Sequence, residues 1–423
     1  MDRNNMTKTV SVNGRDYSWP QSPLVLICCD GSEPSYMDMA MRDGLMPNLS
    51  RIVAKGEYRR GLSAMPSFTN PNNLSIVTGR PPAVHGICGN YLIDPNSGQE
   101  VMMNDPRWLR APTILAGFQK AGARVAVVTA KDKLRLLLGK GLAFDGNAVC
   151  FSSEKADHAT LAGNGIADVC SMVGMPVPDV YSAELSEFVF AAGVKLLRSF
   201  KPDLMYLSTT DYIQHKFAPG TAGANKFYVM MDRYLGELDA AGAIVVIVAD
   251  HGMKDKHLAN GEPDVIYLQD VLDSEFGAGK TKVILPITDP YVVHHGALGS
   301  FATVYCYGPA PRDVMVFIKK QAGIDIVLER PEACRRFELP EDRMGDLIVV
   351  SGGPQFTKVI GTSRTKHDLS GLKEPLRSHG GLSEQEIPII VNRKTVGLTG
   401  QLRNFDAFAI GCNHVAKAAV AAA

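Results

Sequence analysis

The chain has no surplus of charge of either sign. Its 423 residues carry 44 Lys plus Arg against 44 Asp plus Glu, a formal net charge of zero. Without a basic excess nothing is available to neutralise the phosphates of a nucleic acid, so no nucleic-acid partner is expected. A long acidic or basic tail of the disordered kind is missing too. Long apolar runs are also absent. The longest, Ala240 to Ala249, has 10 residues between Asp239 and Asp250, about half of the roughly 20 that a membrane span needs. The opening MDRNNMTKTVSVNGRDYSW has no apolar core of the kind a secretory leader carries. The 8 cysteines form no CxxC pair and no closely spaced framework, and Cys28 and Cys29 sit together in an apolar run as buried, reduced thiols. These absences lead to the expectation of a cytoplasmic globular protein with neither membrane nor nucleic acid as partner.

What is present is an alternation. Short β-branched runs at Leu24 to Cys29, Val125 to Thr129, Leu204 to Thr209 and Ala243 to Ala249 are separated by amphipathic stretches such as Tyr181 to Phe200 and Lys226 to Ala241. Strands that are apolar on both faces belong in a parallel sheet covered by helices. The expected fold is therefore an α/β sandwich with an open, mostly parallel sheet, preceded by a hairpin around Asn13-Gly14. After about residue 254 the texture becomes charged and rich in Gly and Pro. Short strands are expected at Lys282 to Ile287, Phe301 to Tyr307 and Asp346 to Val350, with a helix at Pro311 to Ala322. This gives a catalytic domain of residues 1–254 and 373–423, interrupted by a smaller α+β cap over residues 255–372.

Ligands of open α/β sheets bind at the carboxyl ends of the strands, and there the polar residues are distinctive. The first run ends in Asp30-Gly31, the third leads to Asp211 with His215 four residues on, and the fourth ends in Asp250-His251-Gly252. Late in the chain stands Ser378-His379-Gly380. Each piece alone has an ordinary explanation, since an Asp after a strand commonly caps the next helix. Together they supply three carboxylates and three imidazoles. Asp-x3-His places both groups on one side of a helical turn, as two ligands of one metal require. Asp-His at a strand end can send neighbours to opposite sides, which suits a bridge between two metal positions. Mixed nitrogen and carboxylate donors without thiolate suit catalytic Zn²⁺, and also accept Mn²⁺ or Fe²⁺. A further segment, Pro66-Ser67-Phe68-Thr69-Asn70-Pro71, leads into a helix, with Thr69 expected just before its N-terminus, where free N–H groups favour an anion. A threonine hydroxyl is a poor nucleophile unless activated, and a metal would do so.

These residues resemble the alkaline phosphatase superfamily, in its nucleotide pyrophosphatase/phosphodiesterase-like branch. The resemblance spans most of the chain and rests on Asp30-Gly31, the Pro66 to Pro71 segment, Thr78-Gly79-Arg80, His85-Gly86-Ile87, Asn90, Asp211-x3-His215, Asp250-His251-Gly252 and His379-Gly380. It implies two Zn²⁺ ions. Asp211, His215 and His379 would hold one; Asp30, Asp250 and His251 would hold the other, with Thr69 touching it as nucleophile. Asn90 would donate to a phosphoryl oxygen, and Arg80 reads as structural.

Within that branch the chain resembles the hydrolases that act on the carbon–phosphorus bond of phosphonoacetate. Lys131 and Lys133 come after a buried strand at i and i+2, so both can point at one anionic group, and the resemblance makes them binders of a substrate carboxylate. His215 is expected beside the substrate as well, and His294 is expected to reach it from the cap. The expected partner is thus a small anionic phosphonate, and a homodimer is compatible with the sequence. The nearest alternative is a phosphodiesterase or nucleotide pyrophosphatase using the same bimetal site, against which only the lysine pair argues.

Overall fold

The structure, a computed structural model, describes residues 8–289, 296–353, 357–367, 369 and 372–416. His294 lies outside the described residues. The main sheet has seven strands: β1 (Leu24–Cys28), β2 (Glu57–Leu62), β3 (Val125–Thr129), β4 (Ala148–Ser152), β5 (Leu204–Ser208), β6 (Ile244–Val248) and, near the end of the chain, Glu386–Val391. β6, β1, β5, β3 and β4 run parallel in that order. Glu386–Val391 pairs antiparallel with β6, and β2 closes that edge. The expected α/β sandwich with a mostly parallel sheet is what the chain forms.

The strands are apolar throughout because both faces are covered. Leu24, Leu26 and Cys28 point into one core cluster, and Val25 and Ile27 into the other, as the two-residue period of a strand dictates. Each fully buried Val, Leu or Ile contributes roughly 1.5–3 kcal/mol. On the second face lie the long helices Glu184–Ser199 and Ala222–Ala240. The latter also lends a cap: buried Asp232 accepts from the amides of Asn48 and Leu49 at 3.1 and 2.7 Å, at the start of helix Pro47–Lys55, whose own N-cap residue, Met46, offers no side-chain acceptor. No helix among the described residues is long and apolar enough to cross a membrane.

The first core continues into a second, four-stranded antiparallel sheet of Thr281–Ile284, Phe301–Cys306, Leu347–Ser351 and Ile324–Glu329, in that order. The first of these strands stops at Ile284, short of the expected Ile287. Pro286 has no N–H for the ladder, and the backbone instead turns toward the site, where the Pro286 carbonyl accepts from the Asn90 amide at 2.7 Å. A short antiparallel ladder pairs Lys254–Asp255 with Arg377–Ser378, far apart in the chain.

Beside that ladder is a fully buried ion pair, Lys256 Nζ to Glu384 Oε1 at 2.9 Å, with side chains 1% and 0% exposed. Glu384 Oε2 also accepts from the Gly381 amide at 2.9 Å, so the pair pins the loop that carries His379. Removing one partner strands a charge out of water. Lys256→Ala is expected to cost roughly 3–5 kcal/mol, seen as a lower denaturant midpoint at unchanged slope.

Candidate active site

Asp30, Asp211 and Asp250 each lie two or three residues beyond the carboxyl ends of β1, β5 and β6, which are neighbours in the sheet. Their convergence comes from strand order alone. His215 comes one turn after Asp211, on the short helix Tyr212–Lys216. His379 arrives from the far end of the chain, on the loop after Arg377–Ser378. That loop passes close over Phe68: Gly380 has φ +117°, and a Cβ there would lie 2.3 Å from the Phe68 ring. Gly31 is required for the same kind of reason, since it has φ +67° and a Cβ would sit 2.9 Å from that of Asp211.

Two groups of ligand atoms result. Asp211, His215 and His379 bring theirs within 4.8 Å of one another, and so do Asp30, Asp250 and His251. The partition is the one the family resemblance implies. Asp250 and His251, whose spacing alone suggested a bridge between two positions, fall in the same group.

The three imidazoles share one arrangement. Nδ1 of His215, His251 and His379 lies 2.7, 2.9 and 2.8 Å from the carbonyls of Arg377, Gly252 and Ser67. A carbonyl only accepts, so each Nδ1 carries the proton and, in the neutral ring, Nε2 presents a lone pair. Those Nε2 atoms face carboxylate oxygens: His215 and His379 meet Asp211 Oδ2 at 3.0 and 3.6 Å, and His251 meets Asp30 Oδ1 at 3.3 Å. Lone pairs opposed to carboxylates out of water repel unless a cation lies between them. His379 cannot readily supply it, since it stacks on His251 at 3.7 Å and burial, together with the nearby His251, holds it well below the usual imidazole range. Burial, followed by the charges of Asp211 and Asp250, pushes Asp30 well above the usual carboxylate range, and burial also raises Asp250. For Asp211 burial acts upward too, and only positive charge on the neighbouring imidazoles, His215 above all, brings it well below that range. Backbone-oriented imidazoles and buried carboxylates fit divalent cations in both groups.

Thr69 lies beside the second group, its Oγ1 3.3 Å from His251 Nε2. It is the first residue of helix Thr69–Thr78 and does not precede it as expected; Pro71 is accommodated at the third position because the first-turn amides have no intrahelical acceptor anyway. The amides of Thr69 and Asn70 find no acceptor among the described residues, which leaves an anion slot at this helix end. Arg80 is structural as read, its Nε donating to the Asn13 carbonyl at 2.7 Å.

A cleft of about 290 Å³ joins Asp30, Thr69, Asn90, Lys131, Lys133 and Asp211. The Asn90 side-chain amide is held only loosely, 3.5 Å from the Ile287 carbonyl. Lys131 Nζ makes a long contact of 3.4 Å to the Val180 carbonyl and lies 5.3 Å from the Tyr181 ring centre. Burial lowers its pKa, against the opposing pull of Glu154, Asp211, Asp289 and Asp30. Lys133 is differently placed, with both oxygens of Asp289 at 2.9 Å from its Nζ.

Several site residues escaped the sequence reading. Asp289 and Glu154 line the cleft from segments with no motif. Asn73 is the support of Asp250: its amide donates to Asp250 Oδ2 at 3.1 Å, while its carbonyl oxygen accepts from Tyr206 and Ser208 at 2.7 and 2.9 Å. The available signal was the adjacent pair Asn72-Asn73 inside a helix, where such residues are poor helix formers.

A sequence profile of the type I phosphodiesterase/nucleotide pyrophosphatase family matches residues 24–380. The chain belongs to that family, a branch of the alkaline phosphatase superfamily, and is a hydrolase. More narrowly, two crystal structures of phosphonoacetate hydrolase from Sinorhizobium meliloti, in complex with phosphonoformate and with phosphonoacetate, share 62% identity with it. They superpose with a TM-score of 0.93 over 96% of this chain and 99% of theirs. Murine ectonucleotide pyrophosphatase/phosphodiesterase 5 shares the fold at 16% identity and a TM-score of 0.63, over 92% of this chain and 94% of that one. A pyrophosphatase/phosphodiesterase of Schizosaccharomyces pombe is 33% identical over 94 residues, which are 22% of this chain and 19% of that relative's length.

Asn73→Ala would free Asp250 to turn and leave two buried hydroxyls without their acceptor. We expect metal affinity to fall about 10–100-fold, measured by competition with a chromogenic chelator, with a stability loss of about 1–3 kcal/mol.

Proposed function

We propose that the protein hydrolyses the carbon–phosphorus bond of phosphonoacetate to acetate and phosphate, with two Zn²⁺ ions as its native metals. The observation that carries this reading is the placement of Lys131 and Lys133 in one cleft with Thr69, Asn90 and the two ligand groups. The 62% identity to an enzyme of that name supports it. Three donors per group, imidazole and carboxylate with no thiolate, suit catalytic zinc.

The substrate dictates what the residues must do. Breaking the bond at phosphorus leaves the electron pair on carbon, which is tolerable only if the adjacent carboxylate takes up the charge as an enediolate. Ammonium groups on that carboxylate are worth most where charge develops. Lys131 and Lys133 fill this role in the reading. When bound, divalent cations lower the pKa of hydroxyl groups and offset phosphoryl charge. The Asn90 amide and the free N–H groups of Thr69 and Asn70 hold phosphoryl oxygens. Thr69 Oγ attacks phosphorus, the carbon takes a proton and departs as acetate, and water cleaves the phosphothreonine. Residues 255–372 act as a cap that brings Ile287 and Asp289 to the cleft, and eight free cysteines favour the reducing cytoplasm.

Phosphate release from phosphonoacetate, beside a bis-aryl phosphodiester, tests the reading. Rapid release from the first and slow cleavage of the second is expected; the reverse preference would make the protein a phosphodiesterase on the same metal site. Thr69→Ala should retain metal while kcat drops by about 10³-fold or more, and full activity would remove Thr69 from the nucleophile's role. Lys131→Ala should lower kcat/KM for phosphonoacetate by roughly 10–100-fold and leave the diester nearly unchanged. Equal losses on both substrates would refute the carboxylate assignment.

A further inference from the structure

The two lysines are unequal. Lys131 Nζ has a single long contact to a carbonyl, 3.4 Å to Val180. Lys133 is engaged by a carboxylate, with Asp289 Oδ1 and Oδ2 each 2.9 Å from its Nζ and the Asp289 side chain 13% exposed. An ammonium has three hydrogens to donate. A substrate carboxylate approaching Lys133 therefore meets a donor already engaged, and a like charge beside it.

Asp289 is also firmly mounted. The turn before it is closed by the Thr288 amide donating to the Leu285 carbonyl at 2.9 Å, and the same strut receives Asn90 at the Pro286 and Ile287 carbonyls. The group proposed to hold the phosphoryl end and the acid that occupies Lys133 thus share one piece of backbone. Across the cleft Glu154, whose Oε2 accepts from the Asp132 amide at 2.8 Å, contributes the second acid. Two lysines and two acids leave this end of the cleft close to neutral before any ligand enters.

We propose that Asp289 is an internal stand-in for the substrate carboxylate. It occupies Lys133 in the free protein and gives way on binding, so that only a carboxylate anchored by its phosphonyl group can take its place. This rests on the function proposed above. Simple carboxylates, including the product acetate, have no such anchor and compete poorly, and the cost is weaker binding of the substrate itself.

The test is equilibrium binding to the full-length, zinc-loaded Thr69→Ala protein, with and without Asp289→Asn, using phosphonoacetate and methylphosphonate as probes. Methylphosphonate has the phosphonyl group and lacks the carboxylate. Asp289→Asn should tighten phosphonoacetate about tenfold and change methylphosphonate less than twofold. Unchanged or weaker phosphonoacetate binding would overturn the proposal and make Asp289 a positioning residue for Lys133. Equal tightening of both probes would overturn it as well, in favour of a general effect of charge. If the Asp289→Asn protein binds the two probes alike, the carboxylate subsite itself is wrong, and both readings fall. Asp289→Ala, with thermal unfolding of each variant, separates these outcomes from misfolding.

Discussion

Asp30, Asp211 and Asp250 are taken out of water at the end of one mostly parallel sheet, and most of the surrounding structure answers the repulsion among them. Bringing charge out of water is costly unless it is paired and hydrogen-bonded. Asp250 is met by the amides of Gly31 and His251 at 3.1 and 3.0 Å and by the Asn73 side chain. The three imidazoles are turned by backbone carbonyls so that their lone pairs share the space with these carboxylates. Such an arrangement is unfavourable on its own and favourable around cations, so metal affinity is stored in the fold.

The sheet makes this concentration of charge feasible. β6, β1 and β5 are adjacent, parallel and buried on both faces, so the residues after each of them emerge at the same edge. The helix that begins at Thr69 adds amides with no acceptor among the described residues at that edge, and the loop pinned by Lys256 and Glu384 delivers His379. Covered faces supply the rigidity, and the strand ends supply the chemistry.

The cleft divides into two chemical halves. On the proposed function, the two candidate metal-ligand groups, Thr69 and Asn90 take the tetrahedral oxygens of a phosphonyl group. Lys131, Lys133, Glu154 and Asp289 form a nearly balanced set of charges at the end proposed for the carboxylate. The halves come from different parts of the chain, and Asn90 and Asp289 meet on the Pro286 to Asp289 strut. This physical link between the halves makes discrimination by both ends of a small substrate feasible.

Local sequence determined the four central strands Leu24–Cys28, Val125–Thr129, Leu204–Ser208 and Ile244–Val248, the candidate ligand residues and the helix that carries Thr69, because hydrophobic period and strand-end polarity are short-range signals; Glu57–Leu62, Ala148–Ser152 and Glu386–Val391 were not legible from them. Asp30, Asp211, His215, Asp250, His251 and His379 were legible from these signals, and their division into two groups from family resemblance. Asn73, Glu154 and Asp289 were not, since nothing near them in sequence indicates what they face. The end of the strand Thr281–Ile284 and the position of Thr69 inside its helix also differed from expectation, both at prolines whose effect depends on where the neighbouring backbone goes. The inequality of Lys131 and Lys133 is of the same kind. Two lysines two residues apart read alike, and only the tertiary structure sets a carboxylate 156 positions away against one of them, because pairing across a cleft depends on distance in space.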